Sequence, residues 1–191
     1  MNTKNNQRTR LSKIMFKNAM MDLLHEKKIV EKISVKELCE KAELNRSTFY
    51  AHYNEPKDLL AEMENEILDS TANHLKIIGE GDEISAHKYI LSFLHYIKDN
   101  DKQFRVLLID NSADFKTRFL QQSIIQIIDK FNVELSTEIE QYVYSYILNG
   151  SSGIITQWIR SDYSVDENLI VELLFSINSS ALLNLDMKLN I

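Results

Sequence analysis

A short polar segment carries the side chains best suited to molecular recognition. Residues 45–53 read Asn-Arg-Ser-Thr-Phe-Tyr-Ala-His-Tyr, which crowds hydrogen-bonding groups into about two and a half helical turns. The guanidinium of Arg46 can bind O6 and N7 of guanine together, and the hydroxyls of Ser47, Thr48 and Tyr50 can bind base edges or phosphate. These residue types suit readout of a double-stranded nucleic acid, provided that a scaffold presents them on an exposed helix.

The residues before this segment predict that scaffold. Ser34 and Glu37 match a capping box, in which the serine hydroxyl accepts from a first-turn amide and the glutamate accepts from the serine amide. A short helix is expected from there to about Ala42. Asn45 is a good N-cap for a second short helix, from Arg46 to about residue 53. Two short helices joined by a tight turn are typical of a helix-turn-helix.

The two short helices have apolar residues spaced to face a shared core, and a small residue where they cross. The expected core residues are Leu38, Ala42, Leu44 and Phe49. Cys39 lies at the crossing and is the only cysteine, which excludes an internal disulfide and any multi-cysteine zinc site. A redox-sensing thiol needs exposure and nearby positive charge, so Cys39 is interpreted as a core residue.

Charge is divided unevenly along the chain. Residues 1–60 hold 12 Lys and Arg against 8 Asp and Glu, a net charge of +4, within a chain whose net charge is -6. The remaining residues carry 10 basic against 20 acidic side chains, a net charge of -10. Screening limits the reach of a charge to about 8–10 Å at physiological salt. A basic first third can therefore meet a polyanion while the acidic remainder stays out of range.

The rest of the chain repeats a helical period, and its 4 Gly and 1 Pro leave few breaks, so an all-α fold is expected. Pro56 suits the first turn of a long helix. Glu62, Glu64 and Glu66 do not share a helix face at spacings of two and are interpreted as solvated surface. Further helices are predicted at about 8–30, 55–78, 84–99, 102–109, 113–132, 137–161 and 166–186.

These motifs, over about residues 10–65, resemble the TetR family of bacterial transcriptional regulators. The resemblance rests on the capped helix at Ser34, the turn at Glu43-Leu44, the run Thr48-Phe49-Tyr50-Ala51-His52-Tyr53 and the start of the next helix at Asp58-Leu59-Leu60. The chain departs from the family pattern in having Glu43 where the turn usually has Gly. It also has Pro56 where a phosphate-contacting Lys is usual, with Lys57 one residue later.

The resemblance implies a helix-turn-helix DNA-binding domain at residues 1–54 and a helical dimerisation and effector-binding domain at residues 55–191. It implies base-facing roles for Lys36, Arg46 and Ser47. Phosphate-facing or scaffold roles follow for Thr48, Tyr50, His52 and Tyr53. Ser34 and Lys57 complete the expected DNA-binding set. Tyr50 and Tyr53 have the alternative of being core aromatics with a solvated hydroxyl, and Arg46 that of a solvated charge.

The later residues resemble, more loosely, regulators of dihydroxyacetone kinase operons, through Asn149-Gly150-Ser151-Ser152-Gly153 and Gln157-Trp158-Ile159. The expected dimer interface comprises Gly150, Gly153, Leu169, Leu173, Leu174, Ile177 and Ala181. The expected lining of an effector pocket comprises Tyr89, Phe93, His95, Tyr96, Phe119, Tyr146 and Trp158. Intramolecular core is the alternative for both sets, because apolar stripes and aromatics at helical spacing most often pack within one chain.

No pattern for catalysis or metal binding is present in the sequence. His74, His87 and His95 lack the close spacing of metal ligands, no HExxH occurs, and there is no nucleophile elbow. We therefore expect a protein that is not an enzyme and needs no cofactor or metal. No apolar run reaches the roughly 18 residues of a membrane span, and the polar N-terminus does not match a signal peptide, so a cytoplasmic location is expected.

Two functions remain open on the sequence. The first is a homodimeric repressor that binds a palindromic operator in double-stranded DNA and is released by a small molecule or a partner. The second is a helical coactivator or adaptor of the same fold that binds a protein instead of DNA. The residues at 43 and 56 and the net acidity favour the second, while the recognition segment favours the first.

Overall fold

The computed structural model describes residues 3–79, 86–110, 113–130 and 137–188, and these form helices with no strand among them. The helices are α1 (Thr3–Lys27), α2 (Val35–Ala42), α3 (Arg46–Tyr50), α4 (Pro56–Gly79), α5 (Ala86–Asp99), α6 (Asp101–Phe104), α7 (Ala113–Lys130), α8 (Glu138–Arg160) and α9 (Glu167–Lys188). A 3₁₀ turn covers Val30–Lys32 and a π-helix covers Arg105–Asp110. The predicted all-α fold is confirmed.

The described residues form two compact units. The first unit lies within 1–68 and 102–115, and the second within 69–101 and 116–191. A segment from the middle of the chain thus packs with the N-terminal helices. The division into functional domains after residue 54 stays a prediction, because packing units do not define where a function begins or ends.

The first unit is built around Phe16 of α1 and Phe49 of α3. Both side chains are fully buried, and their rings meet edge to face with centroids 5.3 Å apart. The expected core residues Leu38 and Ala42 are also buried, whereas Leu44 is half-buried. Aromatic pairs of this kind add about 0.5–1.5 kcal/mol beyond the burial of their area. The contact fixes how α3 lies against α1.

The start of α4 explains how the chain accommodates Pro56. Proline has no amide hydrogen to leave unpaired in the first helical turn. Asp58 Oδ2 accepts hydrogen bonds from the amides of Asn54 (2.8 Å) and Glu55 (3.2 Å). These two bonds hold the pKa of Asp58 below its usual value.

The second unit packs α5 and α8 against α9. Trp158 is buried, and its indole Nε1 donates to the Val165 carbonyl at 2.7 Å, which ties the end of α8 to the start of α9. Helix α8 begins with a capping box formed by Thr137 and Glu140. None of the helices in the described ranges is long and apolar enough to cross a membrane.

Two local predictions are wrong. A single α-helix was expected at 102–109, but α6 is one turn long and continues as the π-helix. Asn45 occupies the N-cap position of α3 in an extended conformation, but its side chain makes no capping bond. Its backbone carbonyl accepts instead from the amides of Thr48 and Phe49, at 3.0 and 3.2 Å.

Candidate nucleic-acid interface

Burial of Phe49 decides which face of α3 points outward. Successive residues of a helix are rotated by about 100°, so the position two residues before Phe49 lies on the opposite face, and the positions three before and one after it lie about 60° and 100° away on one flank. Arg46, Ser47 and Tyr50 are exposed, and Tyr50 keeps 58% of its surface accessible. Thr48 is half-buried. The three exposed side chains form a continuous polar face, which we call the α3 face.

The turn before α3 has the backbone conformation that glycine usually supplies. Glu43 has φ 54° and ψ 36°, in the left-handed region, and is exposed. The Leu44 amide donates to the Cys39 carbonyl at 3.0 Å, closing the turn. Glutamate here costs roughly 1 kcal/mol relative to an unstrained residue. The turn therefore keeps the geometry expected of a helix-turn-helix despite the replacement.

The capping box at the start of α2 forms as predicted. The Ser34 hydroxyl accepts from the Glu37 amide at 3.3 Å, and the Ser34 amide donates to Glu37 Oε2 at 3.0 Å. Lys27 donates to the other carboxylate oxygen of Glu37. The Lys27 contact, followed by the two Ser34 contacts, lowers the pKa of Glu37 to about 2. The Ser34 hydroxyl is thus engaged in holding α2.

Lys36 and Lys57 are exposed and make only surface ion pairs. Lys36 Nζ lies 3.7 Å from Glu40 Oε1, and Lys57 Nζ lies 2.9 Å from Glu31 Oε1. Exposed pairs contribute about 0–1 kcal/mol, so either amine can exchange its carboxylate for a phosphate at little cost. Arg46 has no ion-pair partner within the ranges that the structure describes.

His52 is half-buried and links the end of the recognition segment to α1. Its Nε2 lies 3.1 Å from the hydroxyl of Ser12, which is itself buried. The Ser12 hydroxyl donates to the Thr9 carbonyl at 2.9 Å. The Ser12 oxygen is therefore left to accept, and Nε2 of His52 is the donor.

The structure removes Tyr53 from the exposed set. Only 4% of its surface is accessible, its ring packs against Phe49 with centroids 5.5 Å apart, and its hydroxyl donates to Glu62 at 3.3 Å. Burial and the nearby Glu62 carboxylate raise the pKa of Tyr53. Of the two roles that the sequence left open for Tyr53, the structure favours the scaffold role.

Glu62 is a structural residue that the sequence analysis missed. It accepts from Lys13 (2.8 Å), Lys17 (2.7 Å) and Tyr53, and so joins α1 to α4. Burial acts to raise the pKa of Glu62, but the two lysine hydrogen bonds outweigh it and hold that pKa below the usual value.

The interpretation of this acidic group as solvated surface is wrong for Glu62 and also for Glu64, which is 7% exposed. The signal that could have revealed this contact is the equal spacing of basic residues on one helix and acidic residues on another. Lys13 and Lys17 are four residues apart on α1, as are Glu62 and Glu66 on α4, and Lys17 pairs with Glu66 as well.

The residues predicted to line an effector pocket lie in different environments of the second unit. Tyr89, Phe93, Phe119 and Trp158 are buried, and the rings of Phe93 and Phe119 stack with centroids 6.0 Å apart. Tyr96 is half-buried and donates to Ser70 at 2.7 Å. His95 and Tyr146 are exposed. The buried members act as core here, and a pocket stays a prediction.

The residues predicted to form a dimer interface are mostly accessible. Gly150 and Gly153 are exposed on α8, with open space where a Cβ would stand. On α9, Leu169 and Leu173 are 62% and 44% exposed. Leu174 is the buried exception, and Ile177 and Ala181 are half-buried.

Further exposed apolar side chains lie on the same side of α8 as Gly150 and Gly153. Ile139, Tyr142 and Tyr146 are all more than half exposed. They recur at the spacing that puts residues on one side of a helix with Gly150 and Gly153. We call these five residues the α8 stripe.

No group of three or more metal-ligating side chains occurs within the described part of the chain.

A helix-turn-helix joined to a larger helical region is the architecture of a class of transcriptional regulators. The family model described as a transcriptional regulator C-terminal region, of the TetR type, matches residues 85–180, which is half of the chain. The chain therefore belongs to the TetR family of transcriptional regulators. A comparison with curated protein sequences finds no match.

Solved structures share the fold over nearly their whole length. A TetR transcriptional regulator from Streptococcus agalactiae 2603V is 19% identical with a TM-score of 0.71, over 91% of this chain and 97% of that one. NalD, the secondary repressor of the MexAB-OprM multidrug efflux pump in Pseudomonas aeruginosa, is 18% identical with a TM-score of 0.64, over 94% and 98%. The dihydroxyacetone kinase operon activator DhaS is 16% identical with a TM-score of 0.54, over 88% and 94%.

Proposed function

We propose that the protein binds a specific operator in double-stranded DNA through the α3 face. The observation that carries this proposal is the exposed cluster of Arg46, Ser47 and Tyr50 on a helix fixed from behind by Phe49. A buried anchor on one side and free hydrogen-bonding groups on the other are what a major-groove reader needs. Arg46 and Ser47 read bases, and Lys36 joins them from α2.

Phosphate contacts surround this reading face in the proposal. Tyr50 and Thr48 offer hydroxyls, and Lys57 offers an amine held only by an exposed ion pair. His52 donates through Nε2 to Ser12 of α1, and this hydrogen bond orients the imidazole ring. Such contacts position a protein on the duplex without reading its sequence. Ser34 supports them by holding α2, and Tyr53 by packing beneath Phe49.

We propose that the protein acts as a homodimer through α8 and α9. The α8 stripe and the exposed Leu169 and Leu173 leave apolar surface that a second copy would cover. One α3 reads only a few base pairs. A twofold dimer presents two of them at half-sites about 34 Å apart on a palindrome.

The regulatory proposal is repression relieved by a small molecule or a partner bound in the second unit. One buried polar atom supports it: the hydroxyl of Thr71 on α4 has no hydrogen-bond partner within the described residues. Buried hydroxyls normally have a hydrogen-bond partner, and a polar group of a ligand would supply one for Thr71.

A regulator of this kind works beside the chromosome in the cytoplasm and needs no catalytic chemistry.

Selection of binding sites from random DNA with the purified protein tests the proposal. One sequence, palindromic or nearly so, should be enriched. Arg46→Ala should weaken binding to it by about 1–3 kcal/mol and relax the preference at one base position. Arg160→Ala is the control, because Arg160 is an exposed arginine at the end of α8. Equal affinity of the parent and Arg46→Ala for the selected site would reject the reading role.

The adaptor function remains the second candidate, and Glu43 favours it. Its carboxylate is exposed immediately before α3, where a DNA backbone would bring negative charge. An adaptor would show no enriched sequence in the selection, and only weak binding of DNA that is independent of sequence. An enriched site would exclude it.

A further inference from the structure

The chain crosses between the two compact units at the peptide bond from Asp101 to Lys102, and the two residues are held by different units. Asp101 accepts a hydrogen bond from the hydroxyl of Tyr163, within the second unit. Lys102 Nζ lies 3.1 Å from Asp22 Oδ1 on α1, within the first unit. The hydrogen bond to Asp101 and the exposed ion pair of Lys102 therefore flank the peptide bond at which the chain leaves one unit and enters the other.

The turn that supplies Tyr163 is strained. Between α8 and α9, Asp162 has φ 52° and Tyr163 has φ 58°, two successive left-handed residues without a glycine. Such conformations persist only where surrounding contacts impose them. The Tyr163 ring meets Trp158 edge to face with centroids 4.8 Å apart, and Lys98 Nζ lies 5.8 Å from the ring centroid. With the bond to Asp101, these contacts hold the tyrosine in place.

The segment after the crossing has an irregular helical register. Residues 105–110 form a π-helix directly after the single turn of α6. Phe104, Val106 and Leu107 are buried, and the π-helix packs against α1. π-Helical turns often mark functional positions. A π-helix can return to α-helical register by a shift of one residue, and such a segment can take up a displacement of residue 101.

We propose that the hydrogen bond from Tyr163 to Asp101 is a conformational latch that holds residues 102–110 in the register supporting α1. When the bond breaks, the strained turn relaxes, the π-helical segment loosens and α1 loses support. Because Phe16 of α1 packs against Phe49 of α3, the α3 face then loses its fixed position. The resulting loss of operator binding rests on the proposed function, whereas the loosening of residues 102–110 does not.

Tyr163→Phe breaks the latch and keeps the aromatic ring. Hydrogen exchange measured by mass spectrometry should become severalfold faster in residues 102–110 and in α1. Affinity for the selected operator should fall about fivefold, at the low end of typical couplings between sites. Emission from Trp158, the only tryptophan, should change as the neighbouring ring moves. Tyr144→Phe makes the same change on α8 and is the control.

Asp101→Asn is the second variant, because asparagine keeps the shape of aspartate but weakens the bond by removing the charge. It should produce the same changes to a smaller extent. The double variant should match Tyr163→Phe alone, since residues acting through one contact are not additive. Additive effects of the two changes would indicate separate structural damage and overturn the latch.

Unchanged exchange in residues 102–110 of Tyr163→Phe, relative to Tyr144→Phe, overturns the proposal. Faster exchange with unchanged operator affinity overturns the coupling to DNA. If the parent protein selects no DNA sequence, the proposed function fails, and the exchange measurement still decides whether the latch exists.

Discussion

Individual residues near the turn show a balance between strain and charge. Glu43 takes a left-handed conformation that suits glycine, and its side chain is exposed three residues before Arg46. Glu37 makes the opposite contribution, since its carboxylate closes the capping box and binds Lys27. A substitution at each residue can separate the effect of backbone conformation on stability from the effect of charge.

Glu43→Gly should stabilise the protein by roughly 0.5–1 kcal/mol, because glycine relieves the left-handed strain. The greater conformational freedom of glycine in the unfolded chain offsets part of that gain. Urea unfolding measures this free energy. Glu43→Ala is the control, since alanine removes the charge but keeps a Cβ in the strained region. A gain from Glu43→Ala equal to that from Glu43→Gly would show that charge, and not conformation, sets the cost.

The low pKa of Glu37 predicts acid sensitivity with a definite sign. A carboxyl whose folded pKa lies below its unfolded value of 4.5 stabilises the fold above pH 4.5 and loses that contribution as the pH falls toward about 2. Glu37→Gln keeps a capping box and removes the charge. Its stability deficit relative to the parent should therefore shrink between pH 5 and about pH 2.5.

Unfolding measured across this pH series tests the prediction. Glu40→Gln is the control, because Glu40 makes only an exposed contact with Lys36 at 3.7 Å. A deficit of Glu37→Gln that stays constant with pH would mean that the carboxylate contributes through shape alone.

At the scale of elements, α8 presents an open face that no other described part of the chain fills. A Cβ added at Gly153 meets no atom within 4 Å. Replacing a helical glycine also raises helix propensity, by up to about 1 kcal/mol. A large charged side chain at this position is therefore compatible with the folded monomer and incompatible with a closely packed partner helix.

Gly153→Arg should convert the proposed dimer to a folded monomer in analytical ultracentrifugation, with an unchanged helical circular dichroism spectrum. Gln141→Arg is the control, because Gln141 is exposed on α8 away from the α8 stripe. A Gly153→Arg protein that remains dimeric would place the interface elsewhere on the molecule.

At the scale of the whole molecule, positive charge is concentrated in the N-terminal third, but much of it is paired internally. Lys13 and Lys17 bind Glu62, Lys27 binds Glu37, and Lys41 binds Glu26. The cations left for phosphate are therefore fewer than the net charge of +4 suggests. Lys57 is among the lysines best able to bind phosphate, since both its own side chain and that of its partner Glu31 are exposed.

The proposed operator binding should weaken linearly with the logarithm of salt concentration, with a slope of about -0.9 for each phosphate neutralised. Lys57→Ala should reduce the size of that slope by about one for each subunit bound. Lys76→Ala, at an exposed position in the second unit, is the control. A slope unaffected by Lys57→Ala would remove Lys57 from the phosphate contacts.

Local sequence determined most of the elements of this protein and the set of candidate recognition residues. Helical spacing, the capping box at Ser34 and the tight turn before Arg46 depend on neighbours within about four residues, which the sequence displays directly. The left-handed conformation of Glu43 has a different source, because only the resemblance to the TetR family, with Gly usual at this turn, pointed to it.

Only the tertiary structure decided what each element faces. Tyr50 and Tyr53 are three residues apart and chemically alike, yet one is exposed and the other buried over Glu62. Glu62 meets Lys13 across 49 residues of sequence, and the π-helix is packed against α1 in the first unit. Periodicity fixes the angle between side chains on one helix. Which side of that helix is buried depends on the segments, distant in sequence, that pack against it.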